Sequence, residues 1–149
     1  MDNLQRLLDV QALQELKGRY FLFLDTKDWT RWLDLFTEDA TLLVDTAAAT
    51  FGRDPKTIPK YVGLKAIREF VVPNLEKTPT VHHGHTPIFE FQTDTEASGI
   101  WAMEDIVEFT DHTVHGHGHY RETYRKAGGR WRFASVHLTR IRVVTTSRG

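Results

Sequence analysis

Cysteine is absent from this 149-residue sequence, and its absence removes several classes of protein at once. Disulfide-stabilised folds, thiolate nucleophiles, iron–sulfur clusters and cysteine-ligated zinc sites all require it. The sequence also lacks an apolar run of membrane-spanning length and a basic-then-apolar N-terminal segment. We therefore expect a cytoplasmic protein with no membrane partner.

An excess of charge of one sign is missing as well. The formal net charge is −1, and the 19 basic and 20 acidic residues are mixed along the chain. Proteins that bind nucleic acid concentrate basic residues on one surface, so we predict no nucleic-acid partner.

What the sequence does contain is ordinary for a globular domain, with one exception. A content of 40% apolar and 26% charged residues over 149 positions predicts a single domain, 1–149, with a substantial core. Eight histidines are many for a chain of this length. The histidines are therefore the first place to look for chemistry.

The hydrophobic pattern changes its period about halfway along the chain. Apolar residues first recur every three or four positions, which predicts helices. The predicted helices are Leu4–Thr26, which could be interrupted near Val10–Gln11, Trp29–Phe36, and Gly63–Val71, which Pro73 closes. The predicted strands are Ala40–Asp45, Val81–Gln92, Glu96–Thr110, Thr113–Lys126 and Arg130–Val143.

This order of elements predicts the fold class. Helices followed by a meander of strands are typical of an α+β domain. We predict three N-terminal helices packed on a curved, cone-shaped antiparallel or mixed sheet around an apolar pocket. The polar, proline-containing segment Thr46–Tyr61 is predicted to be a loop over the mouth of that pocket.

Asp105 is the carboxylate that strand alternation places among apolar side chains. Trp101, Met103, Val107 and Phe109 alternate onto one face of the predicted strand, and Asp105 falls on the same face. A carboxylate in apolar surroundings must be hydrogen-bonded, paired or neutral. Asp105 is therefore either a structural anchor or part of a functional site.

Two groups of histidines raise the question of a metal site. Alternation places His83 and His85 on one face of a strand, and His115, His117 and His119 on one face of another. Such arrays can bind zinc or iron, but they usually include a carboxylate as well. No histidine is followed by Asp or Glu two residues later in either group, so we predict no metal.

Three further polar residues are candidates for the same pocket. Asp25 directly follows the apolar end of the first helix, and Tyr20 lies about 1.4 helical turns before it. Arg140 lies in the last strand, where alternation alone does not decide whether it points inward. Tyr20 could equally be a core aromatic residue.

Several short segments resemble one family. The chain resembles the SnoaL-like branch of the nuclear transport factor 2-like superfamily, and within it the branch that includes bile-acid 7α-dehydratase, with scytalone dehydratase more distant. The matching segments are Leu16–Tyr20, Asp25–Trp29, Val81–Pro87, Gly99–Asp105, Gly118–Arg121, Trp131–Phe133 and Leu138–Arg140.

The resemblance implies a catalytic site without a cofactor. By position, His82 resembles a catalytic base, Asp25 the carboxylate that orients it, and Tyr20 a hydroxyl that polarises the substrate. Asp105 and Arg140 resemble supporting residues of the pocket. We predict Val44, Trp101 and His119 as substrate contacts, with Val44 at a position where the bile-acid enzyme has a tyrosine.

One difficulty accompanies this assignment. Regular alternation would place His83 and His85, rather than His82, on the face of Phe89 and Phe91. An inward His82 therefore requires a β-bulge between Gly84 and Pro87.

The function predicted from these residues is that of a lyase or isomerase. An imidazole titrates near neutrality and can take a proton from carbon, while a neighbouring aspartate steadies the imidazolium. The expected substrate is a hydrophobic cyclic molecule that is steroid-like, alicyclic or aromatic. The alternatives are a non-catalytic protein that binds a small apolar ligand, and a polyketide-type cyclase.

A homo-oligomer, either a dimer or a trimer, is also predicted. Family members of this kind often associate, and Trp131 and Phe133 could pack against a neighbouring copy from an open sheet face.

Overall fold

The first helix supplies one wall of the domain. In the computed structural model, which describes residues 2–48 and 60–149, α1 spans Asn3–Asp25 without a break, so the interruption predicted near Val10–Gln11 is wrong. The Asp2 carboxylate accepts a hydrogen bond from the Gln5 backbone N–H and caps the helix. The face that is buried against the sheet carries Leu13, Leu16, Tyr20 and Leu24.

The second helix is shorter than predicted, and the first strand is longer. Helix α2 spans Trp29–Leu33, and strand β1 spans Phe36–Val44, whereas the sequence predicted a helix to Phe36 and a strand from Ala40. Phe36 is 2% exposed and lies opposite Phe133 of the last strand. Its burial between sheet residues therefore outweighs the helical pattern.

The third helix continues past its proline. Helix α3 spans Leu64–Leu75 and contains Pro73, which was predicted to end it. A proline so near the C-terminus removes one hydrogen bond, to the Glu69 carbonyl, and leaves the earlier turns intact. None of the described helices is both long enough and apolar enough to cross a membrane.

Among the described residues, six strands form one sheet, which confirms the α+β prediction. After β1, the strands are β2 Tyr61–Val62, β3 Thr80–Phe91, β4 Glu96–Glu108, β5 His112–Ala127 and β6 Arg130–Ser147. Their spatial order is β2-β1-β6-β5-β4-β3, and β1 pairs with β6 in parallel while the other pairs are antiparallel.

The predicted loop over the pocket mouth is described only at its ends. Residues 49–59 lie outside the described residues. At the far end of the loop, Tyr61–Val62 forms β2 and pairs with Thr41 and Leu42 of β1, a strand that the sequence did not predict.

A bulge in β3 changes which side chains face inward. The register shifts between His85 and Ile88, and Thr86 has a φ of 40°. Before the bulge His82 is buried while His83 and His85 are exposed. An extra residue reverses strand alternation, so Phe89 turns back towards the core. His83 and His85 therefore do not share the face of Phe89.

Three isoleucines of the sheet are exposed. Ile88 and Ile100 are paired neighbours on β3 and β4, and Ile141 is exposed on β6. Trp131 and Phe133, which were predicted to be available to a neighbouring copy, are instead 4% and 0% exposed within the core. The predicted dimer or trimer stays a prediction.

A buried ion pair joins α1 to β5 within the aromatic core. Lys17 and Glu122 are both fully buried, and the lysine Nζ donates a hydrogen bond to the carboxylate. The same Nζ lies 3.3 Å from the centre of the Tyr120 ring, and Tyr124 donates its hydroxyl to Glu122. Burial lowers the pKa of Lys17 to about 8, although Glu122 opposes that shift.

We predict that Lys17→Met lowers the free energy of unfolding by about 3–5 kcal/mol, because it leaves the Glu122 carboxylate buried without its cation. The double variant Lys17→Met/Glu122→Met should regain most of this loss, since it removes both charges. Urea unfolding of the wild type, both single variants and the double variant measures the coupling. A double variant as unstable as the sum of the single variants would contradict the prediction.

Candidate active site

A cavity of about 370 Å³ opens between the helices and the concave face of the sheet. Its wall is mainly apolar, with a few polar side chains from several elements. The residues that line it are Tyr20, Leu24, Trp32, Leu42, Val44, Asp45, Thr46, Phe70, Val71, Asn74, Leu75, His82, Asp105, Val107, Phe109, Val114, Tyr120, Val136, Leu138 and Arg140.

His82 and Asp25 form a pair at this wall. The His82 Nδ1 lies 2.6 Å from Asp25 Oδ1, and the backbone N–H of His82 donates to Asp25 Oδ2 at 2.9 Å. His82 lines the cavity and is 8% exposed, while Asp25 lies behind it at the end of α1. His82 is therefore held to one carboxylate at two points, its imidazole and its backbone N–H.

The position of Asp25 is reinforced by its neighbours. Thr80 donates its hydroxyl to Asp25 Oδ1 at 2.9 Å, and Lys27 donates in turn to the Thr80 hydroxyl at 2.8 Å. Burial alone would raise the pKa of Asp25, but the hydrogen bonds from His82 and Thr80 outweigh it and hold that pKa below its ordinary value. Asp25 is therefore a carboxylate, and a carboxylate only accepts hydrogen bonds.

The carboxylate of Asp25 fixes the tautomer of His82. Because Asp25 accepts, the proton of a neutral His82 is on Nδ1, and the lone pair is on Nε2. Nε2 is the ring nitrogen left for the cavity. The pair thus presents a base to whatever occupies the cavity.

Asp105 and Arg140 form a second pair at the wall. Arg140 Nη1 donates to Asp105 Oδ1 at 2.5 Å, and Arg140 Nε donates to the Asp45 carbonyl at 3.2 Å. Both side chains are almost fully buried, at 9% and 4% exposure for Arg140 and Asp105. A register shift between Phe133 and Ser135 reverses the alternation of β6, so Arg140 faces inward with Val136 and Leu138, which regular alternation from Phe133 could not predict.

Gly116 provides the space for this ion pair. It lies opposite Asp105 on the neighbouring strand, and a Cβ at this position would be 2.0 Å from Arg140 Nη1 and 2.4 Å from Asp105 Oδ1. Such distances are far inside van der Waals contact. The ion pair in this position therefore requires glycine at 116.

Two tyrosines complete the polar part of the wall. Burial, then the nearby carboxylates Glu122, Asp25 and Asp105, raises the pKa of Tyr20 above its ordinary value. Burial likewise raises the pKa of Tyr120 well above its ordinary value. Both phenols therefore remain protonated and can only donate or accept hydrogen bonds, not serve as phenolate bases.

The three predicted substrate contacts have different positions. Val44 lines the cavity, as expected for a substrate contact. Trp101 lies deeper in the core, where its Nε1 donates to the Tyr124 hydroxyl at 3.0 Å, and it does not line the cavity. His119 does not line the cavity either, because alternation along β5 turns Tyr120 inward and His119 to the outer face.

Four polar residues of the wall were not predicted from the sequence. They are Asp45, Thr46, Asn74 and Tyr120. Asp45 is 3% exposed, and its carboxylate contacts His137 Nε2 at 2.9 Å. Tyr120 was detectable, since it alternates with the glycines Gly116 and Gly118 on the inward face of β5.

Comparison with known proteins gives a consistent picture of the fold. Residues 5–137 match the SnoaL-like domain family. A type 2 hexachlorocyclohexane dehydrochlorinase is similar over 97% of this chain and 93% of its own, at 18% identity and a TM-score of 0.80. A Novosphingobium aromaticivorans protein provisionally named scytalone dehydratase is similar over 97% and 91%, at 21% identity and a TM-score of 0.77. A Mycobacterium tuberculosis protein of unknown function is similar over 93% and 75%, at 24% identity and a TM-score of 0.75.

We predict that Asp25→Asn destabilises the protein most near neutral pH. The pKa of Asp25 is lower in the folded than in the unfolded chain, so its contribution is complete above the unfolded pKa of about 3.9. It is lost as the pH falls through the folded pKa. The difference between wild type and variant should be about 1.5–3 kcal/mol near neutrality and should shrink as the pH falls below about 3.9.

Urea unfolding of the wild type and Asp25→Asn across the acid pH range tests this pH dependence. The control is Glu76→Gln, because the Glu76 carboxylate is exposed at the end of α3. A difference between wild type and Asp25→Asn that does not depend on pH would contradict the prediction.

We also predict that Gly116→Ala lowers the free energy of unfolding by about 1–3 kcal/mol, because its methyl group overlaps the Asp105–Arg140 ion pair. The matched control is Gly18→Ala, where no atom lies within 4 Å of the new methyl group. This control should stabilise α1 by about 0.5–1 kcal/mol. Thermal unfolding of both variants measures the contrast, and equal effects would count against the requirement for glycine at 116.

Proposed function

The chain belongs to the SnoaL-like domain family, and from the geometry of its cavity we propose that it is a cofactor-independent lyase or isomerase. In this proposal the His82–Asp25 pair removes a carbon-bound proton from a hydrophobic cyclic substrate. The observation that carries the proposal is the 2.6 Å contact between His82 Nδ1 and Asp25 Oδ1 at the wall of a mainly apolar cavity.

The proposed reaction begins at His82 Nε2. The lone pair of Nε2 takes the proton, and the electron pair of the broken C–H bond forms a carbon–carbon double bond. As that double bond forms, a hydroxide or halide leaves the adjacent carbon with the electron pair of its C–O or C–halogen bond. Asp25 stabilises the imidazolium that results, since its carboxylate is already hydrogen-bonded to Nδ1.

Two other residues are proposed to stabilise charge that develops on the substrate. Tyr20 stays protonated because of its raised pKa, so its hydroxyl can donate a hydrogen bond to a substrate oxygen or a leaving group. Arg140, whose charge is balanced by Asp105, brings further N–H donors to the same wall. Donors that are already in place need little reorganisation when negative charge forms.

The charges of the wall favour an uncharged substrate. The guanidinium of Arg140 is balanced by Asp105, and the Asp25 carboxylate lies next to His82. Asp45 adds a further carboxylate at the wall. An anionic substrate would therefore meet no unbalanced positive charge at these positions.

The size of the cavity is consistent with a compact cyclic molecule. Its 370 Å³ lies at the lower end of the range of about 300–1,000 Å³ that ligand pockets show. The apolar side chains of Leu42, Val44, Val136 and Leu138 would contact the ring. An alicyclic or aromatic substrate, or a steroid-like one held in part, fits this wall.

Two of the similar structures support an elimination. Their names denote enzymes that remove hydrogen chloride or water. At 18% and 21% identity these similarities concern the fold, and one fold serves many reactions. The support is therefore an analogy, and the His82–Asp25 geometry has the greater weight.

A second function has an observation in its favour. The main charged groups of the wall satisfy each other, Arg140 with Asp105 and His82 with Asp25. A protein that only binds an apolar ligand could keep such pairs for stability. The two functions differ in what happens when the base is removed.

We predict that His82→Ala abolishes proton removal but keeps ligand binding. The assay uses neutral cyclic ketones, alcohols and halides, first screened for binding by thermal shift. Turnover and solvent deuterium incorporation at carbon are then followed by mass spectrometry and NMR. Removing a general base lowers such rates by about 10²–10⁴-fold.

His83→Ala is the matched control, because His83 is the next residue on the same strand but is exposed on the opposite face. It should retain the wild-type rate. A ligand that binds the wild type without elimination, isomerisation or exchange, and that binds His82→Ala with only a changed affinity, would support the binding protein instead.

A further inference from the structure

A second cluster of ionisable side chains lies on the outer face of the sheet, opposite the cavity. Glu104 is on β4, the strand between β3 and β5, and its ladder partners are His83 on one side and His117 on the other. No metal was predicted from the sequence, because neither group of histidines includes a carboxylate on its own strand. The missing carboxylate comes from the neighbouring strand.

Two histidines of β5 already point at this carboxylate. The Nε2 of His115 lies 2.7 Å from Glu104 Oε1, and the Nε2 of His117 lies 3.6 Å from the same oxygen. The two imidazole rings are 4.7 Å apart between centroids. The ligand atoms of all three residues lie within 4.8 Å of one another.

We propose that Glu104, His115 and His117 bind one divalent transition-metal ion of the zinc class. Zinc bonds of about 2.0–2.2 Å to nitrogen and oxygen in a tetrahedral site place neighbouring ligand atoms about 3.4 Å apart. The two Nε2–Oε1 distances lie on either side of that value, so only small side-chain rotations are required. Two imidazoles and one carboxylate suit zinc, cobalt or nickel better than calcium or magnesium.

The cluster is accessible to an ion from solvent. Glu104, His115 and His117 are 33%, 40% and 38% exposed, so water can complete the coordination. The ligands are on two adjacent central strands, which keeps their backbones in register. Arg142, opposite His117 on β6, is the nearby charge that opposes a cation.

A second set of three ligands shares the same carboxylate. His83 and His85 with Glu104 also lie within ligand range of one another. Their rings are 6.0 Å apart between centroids, and β3 is an edge strand of the sheet. The closer rings on β5 are therefore the better ligands, and the two assignments are separable by mutation.

The surroundings of His117 set the expected strength of binding. When Nε2 binds a metal, Nδ1 carries the proton. The Nδ1 of His117 is sealed from solvent and has no hydrogen-bond partner among residues 2–48 and 60–149. Because a missing partner of this kind weakens metal binding by about 10–100-fold, we expect weaker binding than at a site with the same ligands whose Nδ1 is hydrogen-bonded.

The test is a titration of tag-free protein with Co²⁺, followed by visible absorbance, and with Zn²⁺, followed by calorimetry. We expect one ion per chain and the d–d absorption bands of a low-coordinate Co²⁺ site. Glu104→Gln, His115→Ala and His117→Ala should each weaken binding by at least about 10-fold. His119→Ala, the next outward residue of β5 and outside both ligand sets, should bind as the wild type does.

Several results would overturn the proposal. One is the absence of saturable binding, and another is equal binding by the wild type and Glu104→Gln. Loss of binding in His83→Ala and His85→Ala, but not in His115→Ala and His117→Ala, would place the ion in the other set. One ion per two chains would mean that two copies share it. Circular dichroism of each variant separates loss of a ligand from loss of the fold.

Discussion

A charge inside an apolar domain needs a partner, and in this protein that requirement aligns elements that are distant in sequence. Lys17 and Glu122 connect the first helix to β5, and Asp25 connects the end of the same helix to β3 through His82. Because an unpaired buried charge is strongly destabilising, each pair restricts how the helix can sit on the sheet. The candidate base is therefore positioned by the same interactions that hold the helix in place.

The parts of the fold that the sequence predicted depend on local patterns. Helical periodicity identified all three described helices, and alternation identified the four long strands. The inward position of Asp105 was predictable for the same reason, since its neighbours Met103 and Val107 on the same strand are apolar. Asp25 and His82 came from resemblance to a family, and no local pattern would have paired them.

The errors arise where register or a bulge decides the outcome. The bulge at Thr86 reverses alternation in β3. Regular alternation would place Phe89 on the same face as His83, whereas in the structure it shares the inward face with His82. His119 was predicted to be a substrate contact, but its neighbour Tyr120 is the residue that faces the cavity. The carboxylate next to the β5 histidines was missed because its position depends on the pairing of β4 with β5, which no single strand reveals. The register of a hairpin depends on its turn and on the patterns of both strands together.

Strand alternation also allows one pair of strands to serve two different environments. Asp105 and Glu104 are adjacent on β4, yet the first belongs to the cavity and the second to the outer histidine cluster. Gly116 lies between His115 and His117, so it accommodates the Asp105–Arg140 ion pair on one side while its neighbours reach Glu104 on the other. A side chain at 116 that displaced the backbone would shift both His115 and His117. The geometry of the two faces is therefore coupled through a single residue that carries no functional group.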